Sequence, residues 1–351
     1  MAARRRQSRP DRTGSTPSPG SVSSGSIPSL SRRTFLRRSL DAGAGAVLGP
    51  TLWRLATPSL VTAGTGLLAA CSSTPSPPTV VPLFSPDRVL VAGRPQRIPF
   101  AIVSPDPSLG ETDVALPPDG GEVGVVIRRD GEVVAETAVA GRVVDHDHVG
   151  EPDPDHQHAN LFRYYPLRAE LAQPGIFDLT VMIEGTETEL AIQLFDPAEA
   201  TVPLVGDPFP SIVSPTVDRP GDVDRLCTRV VPCAFHATSV DEVVGTGRAA
   251  AVLVATPAFC STAYCGPVLD TLIAESGAHP DIEFIHIEVY ANPDEVDGNY
   301  LDPRIRLAPA VAAIGLGFEP SLFLVAGDGT LTDRIDNVFD RTELAEVLAA
   351  L

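Results

Sequence analysis

The chain has 351 residues, 43% of them hydrophobic, with 35 prolines and a formal net charge of -19 at pH 7. That length exceeds one small domain and suits a tail plus two domains, with enough apolar content for real cores. The chain contains no lysine, and ten of its 26 arginines precede Cys71, so the rest of the chain is even more acidic than the net charge shows. Such a surface repels phosphate backbones, and no nucleic-acid partner is expected.

Residues 1–30 are rich in Ser, Pro, Gly and Arg and are expected to be disordered. Ser31-Arg32-Arg33-Thr34-Phe35-Leu36 follows, then a weakly apolar run ending in Leu68-Ala69-Ala70-Cys71. Asp41, Pro50, Arg54 and Pro58 interrupt that run and disfavour a spanning helix. The Arg32-Arg33 segment resembles a twin-arginine export signal, and the tetrapeptide resembles a lipobox. Together they imply a signal region over 1–71, export, lipid modification at Cys71, and an anchor on the outer face of the cell membrane. Residues 72–82, SSTPSPPTVVP, read as a stiff extended spacer.

Residues 83–196 alternate short β-prone runs with turn signals. The runs are Arg88–Val91, Arg97–Val103, Glu122–Arg128, Val133–Val139, Tyr164–Ala169, Ile176–Ile183 and Thr188–Leu194. Asp130-Gly131 between two alternating runs marks a hairpin, because this dipeptide tolerates the positive φ of a tight turn. Seven such strands without helical periodicity predict an all-β, immunoglobulin-like sandwich.

Within that stretch lies DHDHVGEPDPDHQH, which carries His146, His148, His156 and His158 among aspartates. Imidazole and carboxylate at this density suit zinc or copper. Pro152, Pro154 and the lack of apolar anchors equally suit a solvated acidic loop, whose ligands would lose ordering entropy on binding.

Residues 197–239 form a Pro-rich linker with its own cysteine pair, Cys227 and Cys233. In an exported chain such a pair is most simply a local structural disulfide. A relay that passes electrons to the next pair is the alternative.

From 240 the order of elements is a helix, a strand (Ala250–Ala255), a cysteine loop, a helix (Pro267–Ser276) and a strand (Ile282–Val289). After a polar stretch come a helix (Leu307–Ile314), two strands (Ser321–Val325, Leu331–Ile335) about a Gly-Asp-Gly turn, and a last helix (Thr342–Leu351). Asp340 and Glu343 stand at capping-box spacing before that last helix. The strand AVLVA delivers the loop TPAFCSTAYC, with Cys260 and Cys265, to the start of a helix. Unsatisfied N–H groups there lower a thiol pKa and make it nucleophilic.

Residues 240–351 resemble the thioredoxin superfamily, an α/β fold. The resemblance rests on this strand–cysteine–helix segment and on Glu319-Pro320-Ser321, where the family keeps a cis-proline beside its dithiol. It implies that Cys260 is the nucleophile, that Cys265 resolves the mixed disulfide, and that Pro320 lines a substrate groove. Phe259 and Tyr264 either contact substrate there or belong to the core. The chain departs from the family in having four residues between the cysteines instead of two, and Val254 where many members bury an acid. Cys265-Gly266-Pro267-Val268 offers a second register, in which Cys265 is the exposed sulfur.

Residues five apart on a helix have Cα atoms about 8–9 Å apart, beyond the roughly 7 Å limit of a disulfide. A working pair therefore requires a break in the helix across Ser261–Tyr264. The expected function is a cell-envelope thiol-disulfide oxidoreductase acting on envelope proteins with thiols or disulfides, without a resident cofactor unless zinc or copper sits at the His-rich loop. TPAFCSTAYC also resembles the TPGCTxxAC segment of bacterioferritin-comigratory peroxiredoxins, which makes a thiol peroxidase the competing enzyme. A non-catalytic binding or metal-handling lipoprotein is the third reading. A comparison with Sco-type copper proteins offers only His236, His279 and His286 as partners for this dithiol, none convincingly placed.

Overall fold

The computed structural model describes residues 78–103, 121–144 and 162–351, apart from 184, 261, 263, 298 and 300. Arg32, Arg33, Cys71, His146, His148, His156 and His158 lie outside the described residues.

Residues 79–194 form two four-stranded antiparallel sheets. The first has the order β1 (Thr79–Pro82), β2 (Gln96–Val103), β6 (Phe162–Ala169), β5 (Arg142–Val144). The second has the order β4 (Glu132–Ala140), β3 (Glu122–Arg129), β7 (Gly175–Ile183), β8 (Thr186–Leu194). Asp130 and Gly131, at φ 52° and 82°, make the β3–β4 turn. Alternation decides which residues enter the shared core: Val123, Val125 and Ile127 of β3 meet Ile98, Phe100 and Ile102 of β2 in one apolar cluster.

Three expectations need correction here. Arg88–Val91 is not a strand; only Val91 forms an isolated bridge, to Phe195, and Val89, Leu90 and Val91 are buried as a loop. Thr79–Pro82 is not spacer but an edge strand paired with β2, so the spacer ends earlier than expected. Arg142–Val144 adds a short strand, paired with β6.

The C-terminal unit is a mixed sheet of order β10 (Ile282–Glu288), β9 (Ala249–Ala255), β11 (Ser321–Val325), β12 (Leu331–Asp336). β10 and β9 are parallel, and the other pairs are antiparallel. The helices are α1 (Cys265–Ser276), α2 (Pro309–Ile314) and α3 (Arg341–Ala349). The helix expected before β9 is a single 3-10 turn, Val240–Glu242. β9 is buried on both faces, as its unbroken apolar run requires. Ala251, Leu253 and Ala255 face α1 and α3, while Ala250, Val252 and Val254 join the larger cluster that continues into the sandwich. Among the described residues, no helix is long and apolar enough to cross a membrane.

Residues 197–239 are irregular but not a loose linker. Val202, Leu204, Phe209, Ser214, Thr216, Cys227 and His236 are buried, and Pro208 bridges to Thr330.

The two units are joined by a buried ion pair. Arg97, on the face of β2 opposite Ile98 and Phe100, donates from Nε and Nη2 to both carboxylate oxygens of Glu343 at 2.7 and 2.9 Å. Its remaining donors reach the carbonyls of Asp336 and Val338. The Tyr164 hydroxyl donates to Glu343 at 2.8 Å and accepts from the Asp340 N–H. Burial, then the charges of Glu343 and Asp340, push the Tyr164 phenol up, so it remains a donor. Glu343 is thereby drawn away from the capping box; Asp340 alone caps α3, accepting from the Glu343 N–H.

Arg97→Ala leaves the buried Glu343 carboxylate with only the Tyr164 hydroxyl and a longer, 3.7 Å approach of Arg168, and is expected to cost about 3 kcal/mol in denaturant unfolding of the reduced chain. The double variant R97M/E343L should cost clearly less than the sum of R97M and E343L. Additive losses would show that the pair does not couple.

Candidate dithiol site and a neighbouring Cys/His cluster

β9 ends at Ala255, and residues 256–264 carry the chain to α1. Cys265 is the first residue of α1, while Cys260 lies outside the helix in the preceding loop. The helix thus begins only at Cys265 and does not extend back to Cys260. The two cysteines are brought into contact: the Cys265 backbone N–H donates to Cys260 Sγ at 3.3 Å, and Cys260 Sγ lies 3.3 Å from Thr262 Oγ1. None of the four described cysteines is disulfide-bonded.

The surroundings make the two sulfurs unequal. Cys260 is half-buried, and its thiol is lowered to about 6 by a hydrogen bond from the Cys265 thiol, against burial, with help from Thr262 and the Cys265 N–H. Cys265 is fully buried, and burial pushes its thiol well up, reinforced by the hydrogen bond and charge of Cys260 and by the charge of Glu319. One sulfur is therefore an accessible thiolate near neutrality, and the other a protonated reserve. Glu319 was not foreseen; it is a buried carboxylate acting on Cys265 in a chain that lacks an acid at Val254.

The Glu319–Pro320 bond is cis. Pro320 immediately precedes the Ser321–Val254 pair, which puts it at the end of β9 from which the cysteine loop departs. Phe259 is half-buried against the larger apolar cluster, and Tyr264 packs between the two smaller ones. Both side chains pack on apolar clusters and remain partly exposed.

The disulfide expected between Cys227 and Cys233 gives way to two free thiols. Their sulfurs share a small space with two imidazoles, and the ligand atoms of Cys227, Cys233, His236 and His286 all lie within 4.8 Å of one another. Cys233 Sγ is 3.2 Å from His236 Nε2 and 3.5 Å from His286 Nδ1. A hydrogen bond from Cys233, with His236 and His286 helping, lowers the Cys227 thiol. The same bond, together with burial, raises Cys233. Burial opposes charging of His286, but Cys227 and Glu288 push it up.

This cluster can hold a metal ion, whereas sequence reading placed metal at the His-rich loop. One signal was legible, the two-residue gap between Cys233 and His236. His286 was not, because it reaches the cluster from β10, fifty residues further along the chain.

No protein-family model matches the chain, and no curated protein sequence matches it. Two solved structures are similar over part of it. A presumed lipoprotein from Bacillus anthracis is 16% identical, over 33% of this chain and 73% of that one, with a TM-score of 0.19. The PKD domain of the human VPS10 domain-containing receptor SorCS2 is 15% identical, over 45% of this chain and 100% of that one, with a TM-score of 0.20.

In the reduced protein, alkylation of Cys260 is expected to follow its thiolate, falling as pH drops through about 6, while Cys265 stays unreactive until the chain unfolds. Cys265→Ala removes the largest lowering contact, so the midpoint should rise toward the ordinary thiol value of 9.0. Rate–pH profiles read by peptide mass spectrometry would show either result, and an unshifted midpoint would remove Cys265 from this role.

Proposed function

We propose that the chain is an exported, lipid-anchored thiol-disulfide oxidoreductase whose C-terminal unit is thioredoxin-like and whose β-rich unit is an immunoglobulin-like support. The observation that carries this reading is the inequality of the pair: a half-exposed Cys260 thiolate held by the N–H at the start of α1, beside a buried Cys265 thiol. The element order β9–α1–β10 followed by α2–β11–β12–α3 supports the thioredoxin-like part. The Arg32-Arg33 and Cys71 motifs support export and anchoring, with envelope proteins bearing thiols or disulfides as partners.

The chemistry is a two-electron exchange. The Cys260 thiolate attacks one sulfur of a substrate disulfide; the S–S bond breaks, the distal sulfur leaves as thiolate, and a Cys260–substrate mixed disulfide remains. Cys265 then gives its proton to the first substrate thiolate, directly or through water, and attacks Cys260 Sγ, releasing the second substrate thiolate and closing the Cys260–Cys265 bond. The dithiol is oxidised and the substrate disulfide reduced; the same steps reversed oxidise a substrate dithiol. The reduction potential of the pair sets the direction.

Reduction of insulin disulfides by the reduced chain tests the proposal. Cys260→Ser should abolish turnover, and Cys265→Ser should accumulate a mixed disulfide that dithiothreitol releases. Rapid peroxide consumption with no insulin reduction would instead identify a thiol peroxidase of the bacterioferritin-comigratory type. Neither activity, with a pair that resists strong reductant, would leave a binding protein.

A further inference from the structure

Beyond the dithiol, we propose that Cys227, Cys233, His236 and His286 form a four-coordinate zinc(II) site that fastens the 197–239 segment to the sheet carrying the redox loop. Two sulfurs and two imidazole nitrogens are the donor set of tetrahedral zinc. With Zn–S about 2.3 Å and Zn–N about 2.0–2.1 Å, a tetrahedron places sulfur and nitrogen donors roughly 3.5 Å apart. The observed 3.2 Å from Cys233 Sγ to His236 Nε2 and 3.5 Å to His286 Nδ1 already match that separation. Hard carboxylate ligands would point to another ion, whereas a tetrahedral set of two thiolates and two imidazoles suits zinc.

The groups around the ligands are arranged as a metal site needs. His286 Nε2 lies 3.1 Å from the Ala255 carbonyl, which selects the tautomer protonated there and leaves the Nδ1 lone pair toward the sulfurs. The His286 backbone N–H donates to the Phe235 carbonyl at 2.9 Å, holding the cysteine segment against β10. Cys227, His236 and His286 are buried, and two thiolates balance the dication, so the loaded site is neutral where a bare thiolate is not. A recess of about 470 Å³ reaches Cys227, Cys233 and His236 from the surface and supplies an entry path. His236 presents Nε2 to Cys233, while its Nδ1 is buried without a hydrogen-bond partner.

The site also touches the redox loop. Thr228, next to Cys227, accepts from the Ala258 N–H at 3.1 Å and donates its own N–H to Glu288 at 2.9 Å. An ion holding Cys227 therefore fixes a contact to the loop that carries Cys260.

The test is zinc titration of the full chain under a non-chelating reductant, against a chromophoric chelator, with metal analysis of the dialysed protein. Cobalt(II) is used in parallel, because a thiolate-to-cobalt charge-transfer band reports sulfur ligation directly. One zinc per chain is expected, together with that band. Cys233→Ser and His236→Gln should each weaken zinc by at least about 100-fold, with far-UV circular dichroism confirming that they fold. Zinc should be retained in Cys260→Ser, and in a chain with His146→Ala, His148→Ala, His156→Ala and His158→Ala. Loss of binding in either of those chains, tight binding of copper(I) without zinc, absence of the cobalt–thiolate band, or a Cys227–Cys233 disulfide in the isolated protein would each overturn the proposal. Insulin reduction does not enter these readouts, so the dithiol reading can fail without this one.

Discussion

A guanidinium cannot be buried in a protein interior unless its donors find partners, and Arg97 meets that condition only by joining two parts of the molecule. Its donors reach Glu343 and the carbonyls of Asp336 and Val338, all contributed by β12, α3 and the turn between them. Tyr164 completes the arrangement from the neighbouring strand β6. Weaker links repeat the theme: Arg334 donates to the Val89 carbonyl, Asn337 to the Leu83 carbonyl, and Arg168 pairs with Asp333. The sandwich and the mixed sheet are thereby held in one register. A buried pair of this kind adds little net stability compared with apolar packing, but it strongly penalises any arrangement that separates its members.

The register matters because both cysteine sites hang from the same strand end. β9 delivers Ala255, whose carbonyl meets His286, and then the loop in which Ala258 donates to Thr228 and Cys260 receives the Cys265 N–H. A buried strand feeding this loop lets a thiolate and a buried thiol keep separate environments although they touch. The same residue type, within six positions of chain, is lowered at Cys260 by hydrogen bonds and raised at Cys265 by burial.

Local patterns carried much of the architecture. Alternation marked β3 and β4, Asp130-Gly131 marked their turn, and the apolar run Ala250–Ala255 marked the central strand to within one residue. Failures fell where local pattern is ambiguous. Arg88–Val91 has strand composition but is buried as a loop, and Thr79–Pro82 looks like spacer until β2 supplies a partner. Asp340 and Glu343 have capping-box spacing, yet a buried arginine 246 residues upstream outcompetes a single backbone N–H for the Glu343 carboxylate.

The chain alone therefore determined the strand-rich order, the hairpin, the contact of Cys260 with a helix start, and the need for a helix break before Cys265, because each depends on neighbours within a few residues. Tertiary structure decided which sulfur is buried, that Glu319 acts on Cys265, and that Cys227 and Cys233 face His236 and His286 instead of each other alone. Burial and charge act through space, and the groups that set them here come from strands and loops far apart in sequence.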